Sequence, residues 1–215
     1  MGIVDQNTEI QSTQVNTIRN YYQLHAKLYQ ATRWSFLFGR KRLIKALDIS
    51  QFSDQTILEV GCGTGHNLSV LANQYPNLNL IGVDISPDML KVASKRLKRH
   101  SGRVELIEKP YTHGNWNLPV KPDIIIFSYC LTMINPGWKD ALKRAYDDLN
   151  ESGQIAIVDF HDSPHGFFHR WMYKNHVRMD NHLLPVLKKY FKPIQLEVAH
   201  AYDDLWSYFL FIGKK

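Results

Sequence analysis

Between residues 55 and 160 the chain alternates short apolar runs with longer stretches of helical periodicity. Residues 55–60 (QTILEV) read as a strand, ended by the glycines at 61, 63 and 65. A second apolar run, carried by Leu80, Ile81 and Val83, predicts a strand over 79–84. Ser86-Pro87 then supplies an N-cap and a proline at the first helical position, so a helix is expected from 87 to about 99. Residues 104–107 form a third short run. Residues 122–128 (PDIIIFS) are apolar on both faces, as a buried parallel strand should be. Asn135-Pro136 predicts a helix reaching 149, and Glu151-Ser152-Gly153 turns the chain into a strand at 154–159. Strand and helix alternating at this spacing mean an open, mostly parallel α/β sheet with helices on both faces.

The ends read differently. Residues 13–47 predict two helices broken near 33–39 and rich in aromatics (Tyr21, Tyr22, Tyr29, Trp34, Phe36, Phe38). Residues 166–190 predict helix again. The runs 194–199 and 205–212 are joined by only Ala201-Tyr202-Asp203-Asp204. That length allows a hairpin and forbids a parallel crossover, so the sheet should close with an antiparallel strand. No repeat or low-complexity linker divides the chain. One domain over 1–215 is expected, with an N-terminal helical lid at 1–47 and a core at 55–215.

Composition narrows the class. Of 215 residues, 44% are hydrophobic and 21% charged, enough for a sizeable core and too few charges for a disordered tail. Cys62 and Cys130 give neither a disulfide framework nor a zinc spacing. The polar residues 1–14 lack the apolar segment of a signal peptide, and no run is long enough to span a bilayer. A cytoplasmic protein is expected. The net charge is +6 and unevenly placed. Seven basic residues and no acid lie in 19–47, and six more against Asp180 alone in 165–195, together half of the chain's 26. Such asymmetry points to an anionic partner: membrane surface, nucleic acid or charged substrate. Solvated helix faces would give the same pattern.

The chemistry-bearing stretch is Glu59-Val60-Gly61-Cys62-Gly63-Thr64-Gly65, a strand end running into a helix start. Alternating glycines allow a tight turn and close approach of a ligand to the backbone. The crevice beyond the first strand of an open α/β sheet is the expected ligand site. Asp84 closes the second strand, where a carboxylate can accept from ribose hydroxyls. Dinucleotides and S-adenosylmethionine (SAM) both use such a site. The third glycine of a dinucleotide loop would fall on His66, which does not fit, while Glu59 suits the cationic methionine end of SAM. E-x-G-x-G-x-G followed by an acid ending the second strand resembles motif I of the class I SAM-dependent methyltransferases. The resemblance covers about 56–212. It implies a Rossmann-like fold with a seven-stranded, mostly parallel sheet and an antiparallel last strand. It implies SAM as cofactor and S-adenosylhomocysteine as product, held by Glu59, Gly61, Cys62, Gly63, Gly65, Asp84, Ile85 and Ser128, with Ile85 against adenine. Where the family often has an acid after the third strand for the adenine amino group, this chain has Pro110; Tyr111, Thr112 or a backbone group is expected to substitute.

Three further segments, Tyr21-Tyr22 to Arg40, Asn175-His176-Val177-Arg178-Met179-Asp180 with His182-Leu183-Leu184-Pro185, and Leu205-Trp206-Ser207-Tyr208-Phe209, are similar to bacterial N-methyltransferases of lipid head groups. The nearest are those that trimethylate diacylglyceryl-homoserine to the betaine lipid; phosphatidylethanolamine N-methyltransferases are more distant. The resemblance implies a lipid amine as substrate and peripheral attachment to an anionic membrane surface. Methyl transfer to a neutral amine needs positioning and a dry site. Tyr22, Tyr29 and Tyr129 are candidates to face the methylated ammonium by cation–π contact, although each could simply pack in the core. Arg33 or Arg178 could hold a head-group carboxylate, and His161 could take the amine's proton.

His161, His165 and His169 recur every four residues, but Pro164 and Gly166 interrupt that helix, so no metal is expected. A soluble small-molecule or quinone methyltransferase remains open. Nucleic-acid base methylation is disfavoured, because Phe127-Ser128-Tyr129-Cys130 stands where its Asn/Asp-Pro-Pro-Tyr motif would.

Overall fold

The computed structural model describes residues 36–112 and 117–215. Seven strands form one sheet: β1 (Thr56–Val60), β2 (Asn79–Asp84), β3 (Val104–Glu108), β4 (Ile124–Ser128), β5 (Gln154–Phe160), β6 (Lys192–Ala201) and β7 (Trp206–Lys214). Their order is β3-β2-β1-β4-β5-β7-β6. The first five run parallel, and β7 lies antiparallel between β5 and β6. The closing hairpin is therefore as its short connection requires. From β1 the chain steps outward to β2 and β3, then returns to place β4 on the other side of β1. This reversal opens a crevice at the carboxyl ends of β1 and β4.

Every residue of β1 and β4, Glu59 of β1 included, is buried, which fits their central place in the sheet. Helices α1 (Arg40–Ala46), α2 (His66–Gln74), α3 (Pro87–Leu97) and α5 (Gly166–Lys174) cover one face, through Leu43, Leu68, Ala93 and Phe168. Helices α4 (Trp138–Asp148) and α6 (Leu183–Tyr190) cover the other, through Leu142 and Leu187. At α3 the expected start holds: Ser86 Oγ accepts from the Met89 N–H at 3.4 Å and Pro87 is the first helical residue.

Two helices depart from expectation. The helix after Asn135-Pro136 begins only at Trp138, because Gly137 at φ 122° lies outside helical space. The helix expected over 166–190 is two helices, since His176 (φ 60°) and Asn181 (φ 58°) turn left-handed between them. The split also divides the second basic cluster. Arg170, Lys174 and Arg178 stay near the carboxyl edge of the parallel strands. Lys188 and Lys189, at the end of α6, and Lys192, which pairs with Lys214 across from Gln154, lie toward the opposite edge. Of the two helices expected in 13–47, α1 is the second; the first lies outside the described residues.

Candidate active site

The glycine loop is built by its neighbours. The N–H groups of Gly61 and Cys62 both donate to the Val83 carbonyl, at 2.8 and 3.1 Å, which ties the end of β1 to the end of β2. Gly61, Gly63 and Gly65 all have left-handed φ, at 67°, 53° and 68°. A Cβ on Gly61 would run into Cys130, and one on Gly65 would press on Ala93 and Leu97 of α3 at 3.0 Å. Glycine is thus required at both places for conformation and for space. Cys62 is buried, and burial, then the Asp84 and Glu59 carboxylates, push its thiol up, so it remains an unreactive filler.

Glu59 is 2% exposed and its Oε1 accepts from Asn67 Nδ2 at 2.7 Å. Asn67, in the first turn of α2, is buried too, and its Oδ1 has no hydrogen-bond partner among the described residues. A buried acceptor without a donor normally finds one in a ligand or water. Asp84 Oδ2 accepts from Gly63 N–H at 2.8 Å, and Oδ1 from Ser86 N–H at 2.9 Å. A carboxylate offers about four acceptor positions, a chemistry that suits ribose hydroxyls. Ile85 follows it, half-buried.

Ser128 is buried at the end of β4. Tyr129 follows it at φ 54° and its N–H donates to the Val158 carbonyl at 2.8 Å. The tyrosine is 2% exposed, with its ring edge-on to Phe160 at 4.7 Å and its hydroxyl donating to the Phe38 carbonyl at 2.8 Å. It therefore does not offer an open ring face to an ammonium; it latches the segment before α1 onto the end of β4. Tyr22, Tyr29 and Arg33 lie outside the described residues.

Asp159 was not anticipated. It is fully buried in β5 and organises the loop after β4. Its Oδ2 accepts from the Cys130 and Thr132 N–H groups at 3.1 and 3.3 Å, and its Oδ1 from Thr132 Oγ1 at 2.6 Å and Phe160 N–H at 2.9 Å. Burial pushes its carboxyl up to about 6 despite those four donors. An acid inside an otherwise apolar strand was the sequence signal for it. Asn67, a polar residue on the buried face of α2, was the corresponding signal next to Glu59.

The segment between α5 and α6 reaches both neighbouring loops. Arg178 N–H donates to the Thr132 carbonyl at 2.8 Å, and Asn181 N–H to the His161 carbonyl at 3.0 Å. Arg178 Nε is bound by both oxygens of Asp180, at 3.1 and 2.9 Å. His161, at the end of β5, is half-buried, and burial lowers it from its ordinary value. The three histidines are not one cluster: His169 Nε2 is within bonding distance of the Ser163 carbonyl (2.7 Å) and Asp162 (3.0 Å), while His165 is exposed. Tyr111, a suggested adenine contact, is instead turned into the core. Its hydroxyl donates to Asp148 at 2.8 Å and its ring lies 4.9 Å from the Arg144 guanidinium. The core side of β4 is apolar and attracts that ring.

Farther along the same sheet edge is an open groove lined by Phe36, Phe167, Phe168, Trp171, Tyr202 and Leu205. Aromatic contacts run from it toward β4: Phe36 to Trp206 at 6.3 Å, Trp206 to Phe160 at 5.0 Å, and Phe160 to Tyr129.

This fold and loop point to a class: the sheet is Rossmann-like, and its glycine loop lies inside a segment that is similar to methyltransferase domains. Residues 57–153 match the family described as a methyltransferase domain. The chain is 31% identical over 109 residues to trans-aconitate 2-methyltransferase of Afipia carboxidovorans, covering 51% of this chain and 40% of that one. It is 30% identical over 141 residues to malonyl-[acyl-carrier protein] O-methyltransferase of a Paenibacillus species, covering 65% and 50%. The chain thus spans half the length, or less, of these curated relatives. The fold is also that of Haemonchus contortus phosphoethanolamine N-methyltransferase 2, solved with phosphomonomethylethanolamine and S-adenosylhomocysteine. That match has a TM-score of 0.73 at 18% identity over 92% of this chain and 60% of the other.

Proposed function

We propose that this chain methylates the amine of a lipid head group, with diacylglyceryl-homoserine as the leading acceptor and phosphatidylethanolamine as the alternative. The observation that carries the reading is the groove of Phe36, Phe167, Phe168, Trp171, Tyr202 and Leu205. Its lining of aromatic and aliphatic side chains suits an acyl chain, and it opens on the sheet edge that carries the glycine loop.

When bound, SAM supplies an electrophilic methyl group on a sulfonium. The residues around it fit. Glu59 and the unpartnered Asn67 Oδ1 suit the methionine ammonium, Asp84 suits the ribose, and the left-handed glycines leave room for close backbone approach. Asp159 holds the Cys130–Thr132 turn against this loop, so the end of β4 is fixed when the acceptor arrives. His161 is held below its ordinary value chiefly by burial, so it is neutral at pH 7 and able to accept the amine's proton. Among the described residues Asp180 engages Arg178 through Nε, and the two Nη groups suit a head-group carboxylate.

A second reading is O-methylation of a soluble carboxylate, favoured by the identity to the two curated relatives. One assay separates them. The chain is incubated with methyl-labelled SAM and, in parallel, with diacylglyceryl-homoserine, phosphatidylethanolamine, trans-aconitate and malonyl-acyl-carrier protein. Label in a lipid amine supports the proposal. Label only in a carboxylate ester replaces it.

A further inference from the structure

Helix α5 (GFFHRWMYK) is apolar on two faces. Phe168 and Met172, four apart, are buried in the core. Phe167, Arg170, Trp171 and Lys174 follow at intervals of three, one and three, so they share the outward face. Phe167 is 59% and Trp171 47% exposed, and Tyr173 beside them 78%. A helix hydrophobic on both sides needs a second partner. Among the described residues Phe36 reaches Trp171, 5.9 Å between ring centroids, and Phe167, Arg170, Trp171 and Lys174 all remain exposed.

The charges say what fits. From 163 to 179 there is no acid, while Arg170, Lys174 and Arg178 are all present. The acids that bound this segment are engaged: Asp162 by His169, and Asp180 by Arg178 and His182. Across the groove Tyr202 is followed by Asp203 and Asp204, the latter paired with His200 at 2.9 Å. Exposed aromatics interleaved with cations, in a nine-residue helix far too short to cross a membrane, form an interfacial surface rather than a span.

We propose that the outward face of α5, with the adjoining groove, docks onto an anionic lipid bilayer and holds the carboxyl edge of the sheet against the headgroup layer. This goes beyond the choice of acceptor, because docking requires the surface alone. Aromatic rings enter the headgroup region, and Arg170 and Lys174 meet lipid phosphates. It also selects among the basic residues, since Lys188, Lys189 and Lys192 lie toward the far edge and take no part.

The test uses the full chain in vesicle co-sedimentation, with phosphatidylcholine vesicles containing phosphatidylglycerol against pure phosphatidylcholine. Binding to the anionic vesicles that weakens with salt is expected. Arg170→Gln with Lys174→Gln should weaken it by about thirtyfold at low salt, since each cation near such a surface contributes roughly a fivefold factor. Phe167→Ser with Trp171→Ser should weaken it at every salt concentration. Lys188→Gln with Lys189→Gln should not change it. S-adenosylhomocysteine affinity by calorimetry should be unchanged in the charge variants, which shows them folded. Vesicle binding indifferent to both α5 pairs overturns the proposal. So does concentration-dependent self-association abolished by Phe167→Ser with Trp171→Ser, which would make a second copy the occupant. Docking without methylation of any lipid amine would uphold this surface and sink the acceptor reading. Methylation of detergent-dispersed lipid without docking would do the reverse.

Discussion

A carboxylate ending a strand has two oxygens, and Asp84 uses both on backbone amides. Removing it therefore loosens the glycine loop and takes away the ribose acceptor together. Asp84→Ala should weaken S-adenosylhomocysteine binding at least tenfold, at about 1.5–3 kcal/mol per charge-assisted bond, as read by calorimetry. Tyr129→Phe is a different kind of change. It leaves the ring on Phe160 and strands the Phe38 carbonyl, which should cost about 1–3 kcal/mol in a denaturant titration and leave cofactor affinity nearly intact. Asp159 carries a pH dependence whose sign is set by its upward shift. Between its ordinary 3.8 and about 6 the folded chain binds a proton that the unfolded chain does not. Its contribution to stability is therefore present below 3.8 and lost as pH rises through 6, worth about 3 kcal/mol by the size of the shift. Asp159→Asn should flatten that part of the Tm–pH profile relative to wild type. Below pH 6 the protonated carboxyl is a poorer acceptor for Cys130 and Thr132, so cofactor affinity should fall where this residue's stability term improves.

At the scale of elements, what was legible in the sequence was whatever one pattern decided alone. The apolar run of β4 reads on both faces as a central parallel strand, Ser86-Pro87 begins a helix, and the four residues between β6 and β7 allow only a hairpin. Left-handed turns within 166–190 were invisible, because His176 and Asn181 look like ordinary polar positions on a helix until tertiary contacts hold them. The site divided the same way. The E-x-G-x-G-x-G loop announced itself by spacing, whereas Asn67 and Asp159 act through partners 8 and 27 or more positions away. Tyr129 was expected from its place after β4, but its burial depended on Phe38 and Phe160, which no local pattern links to it. The junction of Gly61 and Cys130 offers a direct check. Gly61→Ala places a Cβ against Cys130 at a left-handed φ, so it should lower stability and cofactor affinity together. In a Cys130→Ala background the clash with Sγ should disappear, while the 3.0 Å contact with the remaining Cβ and the backbone part stay. The coupling is the loss of unfolding free energy in the double variant minus the sum of the losses in Gly61→Ala and Cys130→Ala alone.

At the scale of the molecule, the carboxyl edge of the sheet is a set of loops fastened to one another. The end of β1 hangs on Val83, the glycine loop on Asp84, the turn after β4 on Asp159, and the segment before α6 on Thr132 and His161. None of these fastenings exists in the unfolded chain, so a ligand held by several of the loops binds the native state alone. Its stabilisation follows mass action, about 2.7 kcal/mol when free ligand is a hundredfold above its Kd. For a chain of this length each kcal/mol raises Tm by about 2–4 °C. Saturating S-adenosylhomocysteine should therefore raise Tm by about 5–10 °C. In Asp84→Ala, at the same ligand concentration, a tenfold loss of affinity should remove about half of that rise, since ten times Kd yields about 1.4 kcal/mol. The α5 charge variants should keep the full rise, because Arg170 and Lys174 belong to the outer surface rather than to these loops. A melting temperature that ignores S-adenosylhomocysteine at millimolar concentration would remove the crevice as the cofactor site.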